Sequence, residues 1–304
     1  MQSIGMRVLV ATDLSAAADE AVRQAAAMAG TAGTLAAVHV LPVLQAVSML
    51  FPQTHEREAL DEAQVTARVA DAVSERVARI AGRDAETFVE QGIDYAEIAR
   101  RAEAWKADVV VVGSHVHSGL PRVLGGVAER VVRHVHCRAL VARATTGRGG
   151  VLAANDLSEA SLPATVAAAE EARRRGVALT VAHAVDFPQI ETFFLLGLAT
   201  PPPMDPESLR DAARYRLTTT MREAGVSAKE EILDGPAADA LVREAERLGA
   251  ELVVVGSHGS TGFERLLLGS VAEEIVRAAA CSVLVIRTNT SGSATLRRAT
   301  GGPT

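Results

Sequence analysis

A short stretch near the start of the chain, RVLVATDLS at Arg7–Ser15, returns later as GVLAANDLS at Gly150–Ser158. The aspartates of the two stretches, Asp13 and Asp156, are 143 residues apart. The chain therefore contains two copies of one domain, joined head to tail. Other pairs of landmark residues keep this spacing to within one residue: Gly92 with Gly235, Gly113 with Gly256, His39 with His183, Cys137 with Cys281, and Arg143 with Arg287.

The length of 304 residues fits this division, because a domain commonly has about 150 residues. The junction falls in the short Gly/Thr-rich segment TTGRG at residues 145–149. We expect a first domain at residues 1–146 and a second at residues 147–288. Residues 289–304, rich in Thr, Ser, Gly and Arg, are expected to be a disordered tail.

Each copy alternates short β-branched runs with longer Ala-rich amphipathic stretches. Continuous apolar runs such as VVVV at Val109–Val112 indicate strands buried on both faces, as in a parallel sheet. The sequence thus predicts an α/β fold: two tandem Rossmann-like domains, each a five-stranded parallel sheet with helices on both faces. For the first copy the predicted strands are Arg7–Thr12, Thr34–Leu41, Glu86–Gln91, Asp108–Val112 and Arg138–Arg143, and the predicted helices are Ala16–Ala29, Glu58–Ala81, Tyr95–Lys106 and Arg122–His136.

The composition excludes several classes of function. A net charge of −6 and an aromatic content of 3% argue against a nucleic-acid surface, which needs clustered basic residues and stacking rings. The apolar runs are far shorter than the ~20 residues that span a bilayer, so no membrane partner is expected. Two cysteines cannot form a disulfide framework, and no secretory signal opens the chain. We therefore expect a cytoplasmic protein.

A glycine-rich loop in the second copy carries the chemistry. The strand Leu252–Val255 runs into GSHGSTGFERLLLGS, in which Gly256, Gly259, Gly269 and Ser270 form the pattern G-x2-G-x9-G-S. Glycines let the backbone approach a phosphate closely, and their N–H groups can line an anion nest. The helix that begins near Ser270 would add its N-terminal amides. The pattern favours a phosphate site over a loop that merely reverses the chain.

The first copy departs from this pattern at the phosphate nest. Its loop reads GSHVHSGLPRVLGGVAER, with Val116 where the second copy has Gly259. The loop is one residue shorter before Gly125, and Gly126 replaces the hydroxyl residue. Because a β-branched residue disfavours positive φ, the nest should be distorted or closed. We expect weak or no nucleotide binding in the first domain.

These motifs resemble the universal stress protein family in its tandem form. The similarity rests on the ATDLS and ANDLS turns, the second-strand histidines, the VVGSHG…LLLGSVAE loop and the closing CSVLVIR at Cys281–Arg287. It implies an adenine nucleotide alpha hydrolase-like fold that binds ATP, commonly with Mg²⁺ or Mn²⁺. It also implies that the last strands, Ala139–Arg143 and Val283–Arg287, pair within the chain, and it leaves a homodimer open.

The resemblance also assigns site residues. Asp156 would lie near ribose and adenine, the Ala184 backbone would contact adenine, and the glycine loop would hold the phosphates. In the second domain the implied ATP contacts are Ala154, Asn155, Asp156, Ala184, Val255, Gly256, Ser257, His258, Gly259, Gly269, Ser270 and Val271. In the first domain the corresponding residues are Asp13, Val40 and Gly113.

Several other residues have simpler interpretations. His39 and His183 lie in apolar strands, which is typical of hydrogen-bonded core histidines. Asp13 and Asp156 could instead cap helices. The apolar and Pro-rich stretch at residues 186–205 could be a lid, a docking element or a loop folded onto its own domain. The first copy also contains a group of histidines with one cysteine, whose spacing is not a standard zinc pattern, and we assign it to no metal. Its members are His115, His117, His134, His136 and Cys137.

The sequence names no catalytic residues. It contains neither a GxxxxGK[ST] phosphate loop nor the SGGxDS loop of ATP pyrophosphatases, and no spacing indicates a nucleophile with its base. We expect an ATP-binding regulatory protein of the stress response, with at most slow ATP hydrolysis and an unknown protein partner. The alternative is a nucleotide-independent protein-interaction or metal-binding module.

Overall fold

The structure is a computed structural model that describes residues 5–42, 62–114, 126–145, 149–186, 205–257 and 268–287. Strands and helices alternate through these ranges, with one 3₁₀ turn at Glu159–Ser161. The described strands are β1 (Arg7–Ala11), β2 (Thr34–Leu41), β3 (Glu86–Gln91), β4 (Val109–Gly113), β5 (Arg138–Ala142), β6 (Val151–Ala154), β7 (Leu179–Val185), β8 (Lys229–Asp234), β9 (Leu252–Gly256) and β10 (Ser282–Ile286). The described helices are α1 (Ala16–Ala29), α2 (Glu62–Ala81), α3 (Asp94–Ala104), α4 (Gly126–His134), α5 (Leu162–Arg175), α6 (Pro206–Glu223), α7 (Ala237–Leu248) and α8 (Ser270–Ala278).

The strands form one ten-stranded sheet in the order β3-β2-β1-β4-β5-β10-β9-β6-β7-β8. Every neighbouring pair is parallel except β5 with β10. Each half therefore has the doubly wound order 3-2-1-4-5, in which the chain moves outward in one direction from β1 and then in the other from β4. The predicted fold, two tandem Rossmann-like domains, is confirmed.

Most element bounds agree with the sequence prediction, and the differences have local causes. Helix α3 ends at Ala104 rather than at Lys106, because Lys106 adopts a left-handed backbone with φ 53° that cannot continue a right-handed helix. Helix α4 ends at His134 rather than at His136, because β5 begins at Arg138 and the chain must turn between them. The predicted helix starts at Glu58 and Arg122 lie outside the described residues, as does the predicted disordered tail.

Two apolar layers cover the sheet, and each runs through both domains. One layer packs α3, α4, α7 and α8 on one face, and the other packs α1, α2, α5 and α6 on the opposite face. The inner strands are buried on both sides, which explains why they lack polar alternation, whereas the outermost strands β3 and β8 are partly exposed. In the described ranges no helix is long and apolar enough to cross a membrane.

The two domains join through their last strands. Strands β5 and β10 are antiparallel, and Leu140 lies opposite Leu284 with both side chains buried. Because these residues are equivalent in the repeat, 144 positions apart, the pairing is centred on a local two-fold axis. The intramolecular strand pairing implied by the sequence is thus present.

The closing arginine of each domain reaches the last helix of the other domain. The Arg143 guanidinium donates to the carbonyl oxygens of Val276 at 2.5 Å and Cys281 at 3.2 Å. Arg287 donates to the carbonyl oxygens of Val132 and of Arg133, the latter at 2.8 Å. Cations are favoured where a helix ends, because its last carbonyl groups have no intrahelical partner and carry the negative end of the dipole.

A quartet of charged side chains links α4 to α8 across the same axis. Glu129 pairs with Arg277 at 2.8 Å, and Arg133 pairs with Glu273 at 2.7 Å. The hydrogen bond from Arg277 is the main reason that the pKa of Glu129 lies below its ordinary value. The arginine side chains are 36% and 52% exposed, so solvent screens these pairs. The quartet therefore contributes orientation more than stability.

Leu284→Ala should lower the free energy of unfolding by about 2–5 kcal/mol, because it leaves a cavity at the centre of the domain interface. Arg277→Gln should cost at most about 1 kcal/mol, because its ion pairs are exposed. Urea unfolding measures both values, with Val166→Ala on the exposed surface as the control for loss of methyl groups. An equal cost for Leu284→Ala and Arg277→Gln would contradict an apolar interface.

Candidate functional site

Ligands of doubly wound sheets bind beyond the carboxyl ends of the strands, where the strand order reverses. In the first domain that point lies between β1 and β4, and in the second it lies between β6 and β9. Asp13 and Gly113 stand there in the first domain, and Asp156 and Gly256 in the second. Because β5 and β10 are antiparallel, the strands of the two domains run in opposite directions. These two places therefore lie beyond opposite ends of the strands in the ten-stranded sheet.

The turn after the first strand of each domain is strained in the same way. Leu14 and Leu157 adopt φ of 65° and 63°, a left-handed conformation that costs a leucine roughly 1–2 kcal/mol. Asp13 and Asp156 stabilise these turns, because each accepts a hydrogen bond at 3.0 Å from the backbone N–H two residues later. Asp156 also accepts one from the Ser158 hydroxyl. The aspartates are not themselves helix caps, because the N-cap of α1 is Ser15 and that of the 3₁₀ turn is Ser158. Their hydrogen bonds hold each carboxylate at the mouth of its site.

The histidines of β2 and β7 form hydrogen bonds to the residues that follow β1 and β6. His39 Nδ1 donates to the Thr12 carbonyl oxygen at 2.8 Å, and His183 Nδ1 donates to that of Asn155 at 2.9 Å. The predicted hydrogen bonds are therefore present, but both rings are half-buried and lie outside the two core layers. Burial lowers the pKa of His183, against the opposing effects of its hydrogen bond to Asn155 and the Asp156 charge. His183 is therefore neutral at pH 7, with the proton on Nδ1.

Asn155 is buried and organises the second-domain turn internally. Its Nδ2 donates to the Thr165 hydroxyl at 3.0 Å, and its Oδ1 accepts from the Leu157 N–H at 2.7 Å. Its side chain is thus committed to the protein. Ala184, the residue predicted to contact adenine, lies two positions beyond Ala182, the last partner of β6 in the strand pairing. Its backbone therefore extends past the end of β6 and faces the crevice.

The two described ends of the glycine loop meet at one point. The Gly269 N–H donates to the Ser257 carbonyl oxygen at 2.8 Å, and the Ser257 N–H donates to that of Ile286 at 2.9 Å. Ser257 is completely buried, and Gly269 is the N-cap of α8. The first intrahelical bond of α8 comes from Glu273 to the Gly269 carbonyl. Gly256, Ser257, Gly269, Ser270 and Val271 therefore lie together at the edge of β9, whereas the predicted His258 and Gly259 fall outside the described residues.

In the first domain the structure gives Gly113 a packing role. A Cβ atom at Gly113 would lie 2.6 Å from the Ala17 carbonyl oxygen, within the backbone of α1. Sequence reasoning missed this role, because a glycine after a strand is equally typical of a phosphate loop and of close packing. Val116, His115 and His117 lie outside the described residues.

The two histidines near the end of α4, His134 and His136, are not grouped with other described side chains as ligands of one metal ion would be. His134 Nδ1 bonds to the Arg130 carbonyl oxygen at 2.7 Å, and its ring contacts Tyr95 at a centroid distance of 4.7 Å. Burial raises the pKa of the Cys137 thiol to about 11. Within the described part of the chain, no three His, Cys, Asp or Glu side chains are grouped as metal ligands would be. Residues 187–204 of the apolar stretch lie outside that part.

The chain matches the universal stress protein family twice, over residues 6–143 and 149–287. It therefore belongs to this family. A universal stress protein of Mycolicibacterium smegmatis is 32% identical over 306 residues, which cover 92% of this chain and 96% of that protein. The universal stress protein Rv2005c of Mycobacterium tuberculosis is 35% identical over 196 residues, 60% of this chain, and the match spans only 62% of that relative's length.

Solved structures agree on the architecture. The crystal structure of a universal stress protein from Archaeoglobus fulgidus superposes with a TM-score of 0.66 and covers 95% of this chain and all of its own. A putative universal stress protein from Pseudomonas aeruginosa superposes with a TM-score of 0.63, and the match covers 94% of each chain. The sequence identities are 18% and 19%, so these likenesses concern the fold alone.

Gly113→Ala should destabilise the protein by about 1–3 kcal/mol, because the added methyl group meets backbone that cannot move aside. Gly126→Ala is the matched control: the nearest atom to its Cβ would be the end of the Arg130 side chain at 3.7 Å. Its stability should be unchanged or higher by up to about 1 kcal/mol. Thermal unfolding of both variants measures the difference. Equal stability of Gly113→Ala and the unmodified protein would refute the packing role.

His183 should titrate below the ordinary histidine pKa of 6.5 and carry its proton on Nδ1 when neutral. Nitrogen-15 NMR of the imidazole measures both properties. Because the unfolded chain binds this proton at higher pH than the folded one, stability should fall as the pH decreases through about 6.5. His183→Gln should reduce that decrease. A pKa above 6.5 would contradict the effect of burial, and an Nε2–H tautomer would contradict the hydrogen bond to Asn155.

Proposed function

We propose that this protein is an ATP-binding regulatory protein of the stress response, with one working nucleotide site in the second domain. ATP would lie at the carboxyl edge of the sheet between β6 and β9. The first domain would serve as the scaffold on which the second is held. Membership of the universal stress protein family supports the stress-response role. The geometry of the second domain supports the choice of site.

The observation that carries the proposal is the hydrogen bond from Gly269 to Ser257. It brings the start of α8 to the end of β9. The first three N–H groups of the helix, at Ser270, Val271 and Ala272, have no intrahelical partner, as at any helix start. These groups and the helix dipole form a site for phosphate. Gly259 in the intervening loop would let the backbone approach the same phosphates.

The other end of the crevice suits a nucleoside. Asp156 is held at the mouth by its hydrogen bonds with Ser158, and a carboxylate there can accept hydrogen bonds from ribose hydroxyls. The exposed backbone of Ala184 would bind the edge of adenine. Both groups lie on strands or strained turns, so binding would need little reorganisation.

Mg²⁺ or Mn²⁺ would enter with the nucleotide. The described residues around the crevice contain no cluster of carboxylates that could hold a divalent ion alone. Such an ion typically keeps several water ligands and binds substrate phosphates when the protein offers few carboxylates. We therefore propose that the ATP phosphates and water are its main ligands. The ion would neutralise phosphate charge beside the helix N-terminus.

Regulation would pass through α8. This helix begins at the proposed phosphate site and carries Glu273 and Arg277, which pair with Arg133 and Glu129 of the first domain. An anion at its N-terminus would therefore act on the element that also forms the domain interface. Occupancy of the site can thereby bias the arrangement that a partner protein recognises.

The cytoplasm is the proposed compartment. Both cysteines, Cys137 and Cys281, are free thiols. Unpaired buried cysteines are usual in reducing compartments, whereas secreted proteins commonly oxidise them.

Matched variants of the two domains test the proposal. Asp156→Asn and Gly259→Val should each weaken ATP binding by about tenfold or more, because each removes a charge-assisted contact or closes the phosphate nest. Changes at the equivalent positions of the first domain, Asp13→Asn and Val116→Ala, should leave the affinity for ATP unchanged. Equilibrium dialysis with radiolabelled ATP and Mg²⁺ measures all four.

The same matched variants also show which results would contradict the proposed ATP site. If Asp13→Asn weakens binding as much as Asp156→Asn, the first domain holds the nucleotide. If Gly259→Val binds ATP like the unmodified protein, the glycine loop is not the phosphate site. Circular dichroism of each variant separates loss of binding from loss of fold.

A further inference from the structure

A pocket of about 380 Å³ opens where the two domains meet. It lies at the amino ends of β4 and β5, the edge of the first domain opposite its switch point. The second domain completes it with Arg287, which follows β10. A volume of this size is in the range of pockets that bind small organic ligands. The pocket contains none of the residues assigned above to ATP.

Four basic side chains line this pocket: Lys106, His136, Arg138 and Arg287. Lys106 and His136 are exposed at its mouth, whereas Arg138 and Arg287 are partly buried. Among the described residues, neither Lys106 nor Arg138 has a carboxylate within ion-pair distance. Cationic side chains held near one another without carboxylate partners favour an anionic ligand.

Arg287 adds a fixed positive charge. Its terminal nitrogen donates to carbonyl oxygens at the end of α4, which fixes the guanidinium in place. Its Nε is buried and has no hydrogen-bond partner among the described residues. Because this N–H is enclosed by protein, Arg287 contributes to the pocket the positive charge of its fixed guanidinium.

The second copy provides an internal comparison. Its residues equivalent to Lys106, His136 and Arg138 are Gly249, Ala280 and Ser282. The first copy thus carries at one place three basic side chains that the second copy lacks. The acidic residues of the pocket, Glu103 and Asp108, have acidic equivalents in the second copy, so they do not account for this difference.

The backbone at Lys106 strengthens this comparison. Lys106 has φ 53° and its equivalent Gly249 has φ 61°, so both copies require the left-handed conformation here. Glycine adopts it without strain, whereas a lysine with its Cβ atom is destabilised by it. The strained residue is the one whose ammonium lines the pocket.

The acidic and thiol side chains of the pocket indicate which further groups a ligand could carry. Asp108 accepts the Arg7 backbone N–H at 2.7 Å, which occupies part of its carboxylate. Glu103 is exposed at the rim and can accept a hydrogen bond from a ligand hydroxyl. Cys137 forms part of the wall as a neutral thiol, and so it offers a polarizable surface and not a nucleophile.

We propose that this pocket is a second ligand site, which binds a small phosphate ester carrying hydroxyl groups. Arg138 and Lys106 would hold the phosphate beside the fixed positive charge of Arg287, since a guanidinium matches its oxygens and an ammonium adds a point charge. His136 would close the mouth, and Glu103 would accept a ligand hydroxyl. This site is independent of ATP at the glycine loop.

Isothermal titration with ribose 5-phosphate and with inorganic pyrophosphate tests the proposal. Both probes should bind this pocket in the unmodified protein and, with unchanged affinity, in Gly259→Val, in which the glycine loop is closed. Arg138→Ser should weaken binding about tenfold or more. The triple variant Lys106→Gly, His136→Ala, Arg138→Ser, which copies the second domain, should weaken it about a hundredfold. Arg214→Ser, which removes an exposed arginine of α6, is the charge-matched control and should bind normally.

Two results would overturn the proposal. One is absence of binding to the unmodified protein. The other is binding that survives the triple variant and is lost in Gly259→Val, which would place both probes at the glycine loop. Amide NMR shifts of the unmodified protein with ribose 5-phosphate give a reading that needs no variant: changes must centre on residues 103–108, 136–138 and 287.

Discussion

The antiparallel pairing of β5 with β10, centred on Leu140 and Leu284, is the contact on which the rest of the molecule depends. It turns two parallel five-stranded sheets into one sheet of ten strands and makes both core layers continuous across the domains. It also covers two strand edges that would otherwise be open to other chains. Because the pairing is antiparallel, it directs the carboxyl edges of the two domains in opposite directions.

In this arrangement each domain contributes residues to the surface of the other. Each closing arginine, Arg143 or Arg287, crosses the interface to the last helix of the other domain. Arg287 also lines the pocket at the amino edge of the first domain, which lies on the same side of the sheet as the carboxyl edge of the second. Ile286, its neighbour, accepts the Ser257 N–H at the base of the glycine loop. A symmetric scaffold can thus carry different sites, because the two copies differ in the side chains and loops that surround them.

Much of the fold could be predicted from the sequence, since the repeat and the uninterrupted apolar strands depend on local composition and burial. The strand bounds of the first copy were predicted to within one residue, and the histidines form the hydrogen bonds that were expected of them. The close contact of Gly113 with α1, the left-handed Lys106 and the pocket at the interface could not be predicted. They depend on how distant elements pack, which a local pattern does not encode. Sequence reasoning weighed the residues near Cys137 as a metal cluster, whereas the structure groups two of them with Lys106, Arg138 and Arg287.

The number of ATP molecules bound per chain tests the central claim most directly, namely that two similar domains provide one nucleotide site. The measurement is isothermal titration of nucleotide-stripped protein with ATP and Mg²⁺. We expect about one site per chain, because the second domain has the glycine nest and the first has Val116 in its place. Two equivalent sites would show that the first loop tolerates its changes, and no binding would contradict the nucleotide site altogether.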